Sequence, residues 1–387
     1  MTDKFKLSTA WQDEVKVTLS GIFPTEDANT LSASSNTDGT LLNLNNLYQK
    51  SIKSGKLFEN ANVGGILSTY SLVYTATDAY TGGVLNTNGE IHFIPRSGVR
   101  GQKISANGAV STYSLLYTVA TAYSGGVLAP NGDIHFAPYN ANRGQKVSAA
   151  GFVSTYTLQY TVLNAYWGGI AAPNGDSHFV PYNAVRGQKI SANGTVSTYS
   201  LAYTTAGAYV GGVLAPNGEI HFIPHNAAVG QKIVANGTAL TYPLSYTTAS
   251  AYYGGVLAPN GDVHFVPYNA NTGQKVLSNG ETETYTLAYT VALSGYNGGR
   301  LAPNGDIHFV PSRATVGQKI SMDGIISTYS LLYTGSAVSA YAGGVLAPNG
   351  DIHFISQRAP VGQKLSPLSG QGYSPALSRN TNLNQSP

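Results

Sequence analysis

Seven copies of one unit of 43 to 45 residues fill this chain from about Val63 to Leu365. Each copy carries a His-Phe pair and, ten residues after the histidine, the glutamine of a Gly-Gln-Lys triplet. The histidines are His92, His135, His178, His221, His264, His308 and His353. Repeats of this period are typical of solenoids and propellers, in which each unit packs on its neighbours to build one continuous core.

Each unit has the pattern of short strands joined by tight turns. In the third copy, Asn-Gly dipeptides begin at Asn174 and Asn193, and such dipeptides predict hairpins with type I′ turns. Apolar residues alternate, as Ile134 and Phe136 do on either side of His135, and no helical period appears. We predict four strands: Gly169–Ala172, Asp176–Pro181, Gln188–Ser191 and Val196–Tyr203. Seven such units predict an all-β protein, a seven-bladed β-propeller with four-stranded blades.

The order of strands within a blade and the closure of the ring also follow from the sequence. The fourth strand carries Pro243 in one copy and Glu281 and Glu283 in another, and edges tolerate both residue types. We therefore place that strand outermost and the small Gly-Gly-Val-Leu segment innermost. A Ser-Thr-Tyr-Ser-Leu strand, 68–75, precedes the first inner strand, whereas the last copy lacks an outer one. The N-terminal strand is expected to complete the last blade, since an open solenoid would expose apolar faces at both ends.

The repeat resembles the NHL and YVTN class of propeller repeats. The similarity lies in the run Pro-Asn-Gly-Asp-Ile-His-Phe, followed by Gly-Gln-Lys-Ile and a second Asn-Gly, and it extends from Ser68 to Leu365. The chain departs from the NHL pattern in having histidine at the second position of the second strand in every copy. The resemblance implies scaffolding and ligand binding on a propeller face, without implying one activity.

Composition excludes several classes of function. The net charge of +3 is too small for a nucleic-acid interface, which needs a dense basic face. No stretch approaches 18 apolar residues, so no membrane span is expected. There is no cysteine, so disulfides are excluded. Met1–Phe23 lacks the apolar region of a signal peptide, which suggests synthesis in the cytoplasm and release by lysis or within a particle.

The repeats divide the chain into three parts. We predict an N-terminal arm for anchoring or assembly over residues 1–62, the propeller over 63–366, and a C-terminal tail over 367–387. The tail is rich in Ser, Asn and Pro and has no apolar period, so it is expected to be disordered on its own.

The repeated polar residues are interpreted as structural. Equivalent histidines in seven blades lie too far apart to share a metal ion, and no acidic cluster accompanies them, so no metal or cofactor is predicted. They are expected to tie neighbouring strands by hydrogen bonds. The lysines are expected to lie along blade surfaces or to cap loop carbonyls, with a positive ring as the alternative.

Gluconolactonase-type propellers hold a metal in the channel with residues of several blades. We expect this chain to lack the asymmetry such a site requires, since Arg300 is the only charged inner-strand residue, and it is predicted not to be an enzyme.

Binding residues are expected where aromatic rings meet guanidinium groups in the loops of one face. A tyrosine in the Ala-Tyr-x-Gly-Gly motif recurs in every blade, which also suits a structural wedge. The residue after it varies, so Trp167 and Tyr253 are favoured for contact, and His225 is the one histidine outside the repeat pattern. The predicted ligand-contact residues are Tyr139, Arg143, Tyr166, Trp167, Tyr182, Arg186, His225 and Tyr253.

From these features we predict that the chain is a structural or attachment component of a larger assembly, most simply a phage virion. The propeller would be its display and binding module. Expected partners are other protein subunits and a host-surface glycan, and the expected location is a virion or extracellular particle. A soluble lectin with several equivalent carbohydrate sites is the alternative, and a metal-dependent lactonase-type enzyme is a less favoured one.

Overall fold

A computed structural model describes residues 65–290, 293–335 and 338–367, which form 28 β-strands. The strands of the first four blades are β2 Tyr80–Leu85, β3 Ile91–Pro95, β4 Arg100–Ile104, β5 Val110–Ser114, β6 Tyr123–Leu128, β7 Ile134–Pro138, β8 Arg143–Val147, β9 Val153–Thr157, β10 Tyr166–Ala171, β11 Ser177–Pro181, β12 Arg186–Ile190, β13 Val196–Ser200, β14 Tyr209–Leu214, β15 Ile220–Pro224, β16 Gly230–Ile233 and β17 Ala239–Tyr242. The others are β18 Tyr252–Leu257, β19 Val263–Pro267, β20 Thr272–Val276, β21 Thr282–Thr286, β22 Tyr296–Leu301, β23 Ile307–Pro311, β24 Val316–Ile320, β25 Ile326–Ser330, β26 Tyr341–Leu346, β27 Ile352–Ser356, β28 Val361–Ser366 and β1 Ile66–Ser71. No helix in these ranges is long and apolar enough to cross a bilayer.

The strands form seven four-stranded antiparallel sheets arranged as the blades of a ring, which confirms the predicted β-propeller. Blades one to six follow chain order from the inner to the outer strand. In the seventh blade, β1 pairs with β28 over Ile66↔Ser366 to Ser71↔Val361, so the N-terminal strand does complete the last blade. The predicted arm 1–62 lies outside the described residues, as does the tail after Pro367.

The hairpin between the first two strands differs from the predicted type I′ turn. In the third blade, Gly175 N donates to Ala172 O at 3.0 Å and Ala172 N to Asp176 O at 2.7 Å. Only Gly175, and not Asn174, has a positive φ, of 88°. This is the geometry of a three-residue loop with glycine in the left-handed position. The Asn174 side chain accepts from Asp176 N at 3.0 Å, which stabilises the turn without a positive φ at asparagine.

The predicted strand limits in this blade are also corrected in detail. The inner strand begins at Tyr166, which pairs with Pro181. A bulge separates this pair from the regular pairing that starts at Gly169. The second and third strands span Ser177–Pro181 and Arg186–Ile190, and the outer strand ends at Ser200. After Ser200 the chain turns toward the next blade.

Two repeated contacts hold neighbouring blades together. Each motif tyrosine of an inner strand is fully buried beside the Phe of its own blade, and both rings share a core cluster with apolar residues of the preceding blade, as Tyr80 and Phe93 do with Ile355. The glutamine of Gly-Gln-Lys reaches the preceding connection: Gln188 Oε1 accepts from the backbone N–H groups of Gln159 and Tyr160, both at 2.9 Å. Blade packing therefore combines apolar burial with side-chain bonds to the connecting segments.

The repeated histidines and lysines act within single blades. In the third blade, the Tyr199 ring of the outer strand lies across Gly187 of the third strand and brings its hydroxyl 3.1 Å from His178 Nδ1 on the second strand. Five further blades repeat this His–Tyr hydrogen bond, so the histidines tie strands together as predicted. Lys189 Nζ lies 2.6 Å from Asp176 Oδ2, and every blade has such a pair. The lysines are thus paired with acids, which argues against a positive ring.

Candidate ligand-binding site at the channel mouth

A bulge in every inner strand aims one variable side chain at the centre of the ring. In β10 the register shifts between Tyr166 and Gly169, and Gly168 has a φ of +85°. Bulges of this kind redirect the side chain beside them. Here that side chain is Trp167, between the buried Tyr166 and the glycine pair. The equivalent residues around the ring are Thr81, Ser124, Trp167, Val210, Tyr253, Asn297 and Ala342.

A second variable position lies directly after the second strand of each blade. Its backbone carbonyl accepts from the next blade's connecting segment; for example, Ala165 N donates to Tyr139 O at 2.8 Å. These bonds hold the seven loops beside the beginnings of the inner strands. The residues at this position are Arg96, Tyr139, Tyr182, His225, Tyr268, Ser312 and Gln357.

Side chains of five blades converge at this end of the channel. Trp167 of blade three touches Tyr253 of blade five, with ring centroids 5.3 Å apart, and Arg96 of blade one lies 5.0 Å from the Trp167 ring centre. Blades that are not neighbours can meet only on the inner side of a closed ring, so this end of the channel is where they meet. We call the group the channel-mouth cluster: Arg96, Tyr139, Trp167, Tyr182, Val210, His225, Tyr253 and Tyr268.

The cluster occupies one side of the mouth, and hydroxyl and amide groups occupy the other. Blades two to five contribute the aromatic rings and His225. The polar groups are Asn297 and Ser312 from blade six, Thr81 from blade one and Ser124 from blade two. Each of these residues is at most 4% exposed. The mouth therefore has an aromatic sector and a polar sector, and the sevenfold symmetry of the repeat is lost there.

Several buried polar atoms of the mouth have no hydrogen-bond partner among the residues that the structure describes. They are Thr81 Oγ1, Arg96 Nε, Ser124 Oγ, Trp167 Nε1, Asn297 Oδ1 and Ser312 Oγ. Leaving such an atom unsatisfied costs about 1–3 kcal/mol, so native proteins rarely keep several together without a purpose. Unpartnered glutamine Nε2 atoms occur elsewhere, but they recur in six blades and belong to the repeat itself. The unpartnered atoms of the mouth belong to its variable positions.

His225 presents a hydrogen-bond acceptor within the aromatic sector. Its Nδ1 lies 3.0 Å from the Tyr252 carbonyl oxygen, and a carbonyl can only accept, so Nδ1 carries the proton. Burial lowers the pKa of His225, which keeps the ring neutral. A neutral imidazole protonated at Nδ1 leaves Nε2 as an acceptor, suited to recognise or to take a proton.

An ion pair flanks the mouth where the last blade meets the first. Arg358 donates to both oxygens of Asp78, from Nε at 2.9 Å and Nη2 at 2.8 Å, and Gln357 Nε2 donates to the same carboxylate at 3.0 Å. The hydrogen bond from Arg358, assisted by its charge and by that of Arg96, lowers the pKa of Asp78. Both oxygens of this carboxylate are therefore engaged by blade seven.

The structure brings together five of the eight predicted contact residues. Tyr139, Trp167, Tyr182, His225 and Tyr253 all belong to the channel-mouth cluster. Tyr166 lies instead in the core between blades, and its hydroxyl donates to Arg186 O at 2.9 Å. Arg143 and Arg186 are exposed at the starts of their third strands.

Sequence reasoning missed Arg96, Thr81, Ser124, Asn297 and Ser312. They occupy the same repeat positions as the aromatic residues that it singled out, so aligning the seven copies column by column would have found them. In the described residues no group of three or more His, Asp or Glu side chains lies close enough to hold a metal ion.

Comparisons with known proteins bear on the fold alone. No model of a known protein family matches the chain, and no curated protein sequence matches it. Among solved structures, a streptogramin B lyase is similar over 77% of this chain and 97% of its own, with 22% identity and a TM-score of 0.67. A catalytically inactive virginiamycin B lyase from Staphylococcus aureus with quinupristin is similar over 78% and 99%, with 20% identity and a TM-score of 0.68. The WD40 propeller domain of Doa1 is similar over 78% and 98%, with 14% identity and a TM-score of 0.60.

The prediction that this chain is not an enzyme is wrong as an exclusion. Propellers of similar build include lyases, so this architecture is compatible with catalysis. The prediction failed because it judged symmetry from the uniform Gly-Gly-Val-Leu segments. The residue just before those glycines differs in every blade, and the channel mouth is asymmetric.

Proposed function

We propose that this protein is a ligand-binding propeller with one site per chain, located at the channel mouth. The observation that carries the proposal is an asymmetric ring of buried residues at the mouth. One sector is aromatic, and the other is polar, with hydrogen-bonding atoms that lack partners in the described part of the chain. Sites for small molecules combine these two features: apolar walls supply burial, and a few placed polar groups fix orientation. The ligand is then a molecule with one flat apolar face and hydrogen-bonding groups on its opposite side.

A single axial site is favoured over several equivalent ones. The side chains of the mouth differ from blade to blade, so no two blades offer the same set of contacts. The residues that do recur are committed to the fold: Tyr166 to the core, His178 to Tyr199, and Lys189 to Asp176. A lectin with equivalent sites around the ring would need recurring residues that are free to bind.

Tryptophan fluorescence gives a direct test of the site. The chain has two tryptophans, Trp11 and Trp167, so a Trp11→Phe variant reports from the channel mouth alone. A collection of small ring compounds titrated into this variant is expected to contain ligands that quench or shift the emission. Those ligands should bind at least tenfold more weakly after Thr81→Val, which keeps the side-chain volume and removes a hydroxyl.

The control for this test is Phe152→Ala, which removes an exposed aromatic ring from an outer hairpin and should leave binding unchanged. Absence of any fluorescence response across the collection would overturn the proposal. Equal binding to the Thr81→Val variant and to its parent would also overturn it.

Participation in a larger assembly, such as a phage virion, is a separate proposal supported by the sequence alone. It rests on the near-identical repeats and on residues 1–62 and 367–387, which lie outside the repeat. Protein subunits and a host-surface glycan would then be the partners. Light scattering tests it: a discrete oligomer supports it, and a mass near 40.5 kDa at all concentrations contradicts it.

A further inference from the structure

The charge of the channel mouth restricts the class of ligand. Among the residues at its two variable positions, Arg96 is the only one with a full charge, and none is acidic. The Asp78 carboxylate, which interacts electrostatically with Arg96, is already bound by Arg358 and Gln357. With Asp78 and Arg358 cancelling, the mouth carries a net charge of about +1, which disfavours a cationic ligand in spite of the aromatic rings.

Arg96 is held in an orientation that suits an anion. Its guanidinium carbon lies 5.0 Å from the Trp167 ring centre and 5.6 Å from that of Tyr139. A guanidinium group in cation–π contact with aromatic rings still has N–H groups that can donate to an anion. Arg96 makes no ion pair within the described residues, and its buried Nε has no hydrogen-bond partner. The edge of a guanidinium matches the two oxygens of a carboxylate.

The remaining walls describe the body of the ligand. Trp167, Tyr253 and Tyr268 form adjoining aromatic surfaces, with centroids of successive rings 5.3 and 5.0 Å apart. The hydroxyls of Thr81 and Ser124 belong to the two blades that also supply Arg96 and Tyr139, so they lie on the cationic side. A flat ring packed on the aromatic sector would direct its polar substituents toward these groups.

We infer, on the basis of the proposed function, that the ligand is a ring compound carrying a single carboxylate, bound by the edge of Arg96 while the ring stacks on the aromatic sector. Two sources share this chemistry: aromatic acids, and sugar acids whose apolar face stacks on the rings. The hydroxyls of Thr81 and Ser124 suit ring hydroxyls in either case.

Matched pairs of probes test the inference in the Trp11→Phe variant. One pair is 2-naphthoate and 2-naphthalenemethanol, and the other is a glucuronate oligosaccharide and its neutral glucose counterpart. For at least one pair, the acid is expected to bind roughly 10- to 100-fold more tightly than the neutral compound, the range that a charge-assisted hydrogen bond supplies. Which pair shows the preference distinguishes an aromatic acid from a sugar acid.

Two further variants make the test specific to Arg96. Arg96→Gln should abolish the preference for the acid over the neutral compound, and Arg96→Lys should keep part of that preference. Thermal melting confirms that both variants fold. Equal or tighter binding of the neutral compounds would overturn the inference and leave the site itself intact, as would a preference that survives Arg96→Gln. No response to any probe or to the wider collection would overturn the proposed function together with it.

Discussion

Trp167 and Tyr253 touch edge to face, with ring centroids 5.3 Å apart, although they belong to blades three and five. This contact is possible only inside the ring, and it shows where a repeat that is otherwise nearly uniform becomes specific. The bulge before each glycine pair is part of the fold, whereas the side chain that it turns toward the centre is free to vary. The fold thus provides seven equivalent positions in which different residues can be combined into one site.

Removing an unpartnered hydroxyl from the mouth is expected to stabilise the free protein. Thr81 is 1% exposed and its Oγ1 has no hydrogen-bond partner within residues 65–290, 293–335 and 338–367, so Thr81→Val removes a desolvation cost of about 1 kcal/mol or more. Chemical denaturation should show a higher midpoint for this variant even though it binds ligand more weakly. Thr238→Val, at an exposed turn, is the control and should leave the midpoint nearly unchanged. A lower midpoint for Thr81→Val would mean that its hydroxyl already has a partner in the free protein.

Gly187→Ala is expected to be strongly destabilising because of a steric clash with an aromatic ring. A Cβ atom at Gly187 would lie 2.2 Å from the Tyr199 ring, which must then leave its place beside His178. We expect a loss of about 3 kcal/mol or more in the free energy of unfolding, comparable to other severe overpacking. Gly194→Ala is the control. Its Cβ would meet no atom within 4 Å, so its only cost is the backbone strain of a non-glycine residue at a φ of +86°. Similar losses in the two variants would contradict the clash.

Gln188→Ala is expected to weaken the contact between blade three and the segment that connects it to blade two. The Gln188 side chain accepts from two backbone N–H groups of the connecting segment, which would lose their partner. The expected cost is about 1–3 kcal/mol in the free energy of unfolding, measured by denaturant titration. Gln159→Ala removes an exposed glutamine side chain from the same connection and should cost little. An equal loss in both would refute a specific role for Gln188.

Stability should fall as the pH drops from about 6.5 to about 4. Burial lowers the pKa of His178 to about 4 and that of His308 to about 3, and the other five repeat histidines behave like His178. Since these groups bind protons more readily when unfolded, unfolding takes up protons in this window and stability is lost on acidification. Replacing His178 with Asn should make the fall in stability with pH less steep. Hydrogen bonds from the paired lysines lower the pKa values of Asp133, Asp262 and Asp351, so these carboxylates contribute mainly below pH 4. A flat pH profile between 6.5 and 4 would contradict the buried neutral histidines.

The fold was predictable from sequence because each of its causes is repeated seven times. Asn-Gly turns, alternating strands and a displaced outer strand near Ser68 together determine blade count, strand order and closure. The turn type was not predictable from the dipeptide, because Pro173 and Asn174 precede Gly175 in a three-residue loop whose hydrogen bonds place only the glycine in the left-handed region. The role of Gly187 also required the structure, since only strand pairing reveals that Tyr199 crosses it.

The site was predictable only in part, for a reason that applies to repeat proteins generally. Trp167, Tyr253 and His225 stand out because they are aromatic and irregular. Thr81 and Ser124 are common strand residues. Their significance comes from being buried without hydrogen-bond partners in the described structure, which depends on three-dimensional packing. Tyr166 was included as the tyrosine of the Ala-Tyr-x-Gly-Gly motif, but successive strand residues point in opposite directions, and it lies in the core.

The number of ligand molecules bound per chain tests the central claim most directly. Native mass spectrometry of the 40.5 kDa chain, with the tightest ligand found by Trp167 fluorescence, counts them without assuming an affinity. The account predicts saturation at one molecule per chain and loss of that molecule when Tyr253 is changed to Ala. Saturation at several molecules per chain, or one molecule retained by Tyr253→Ala, would contradict a single site at the channel mouth.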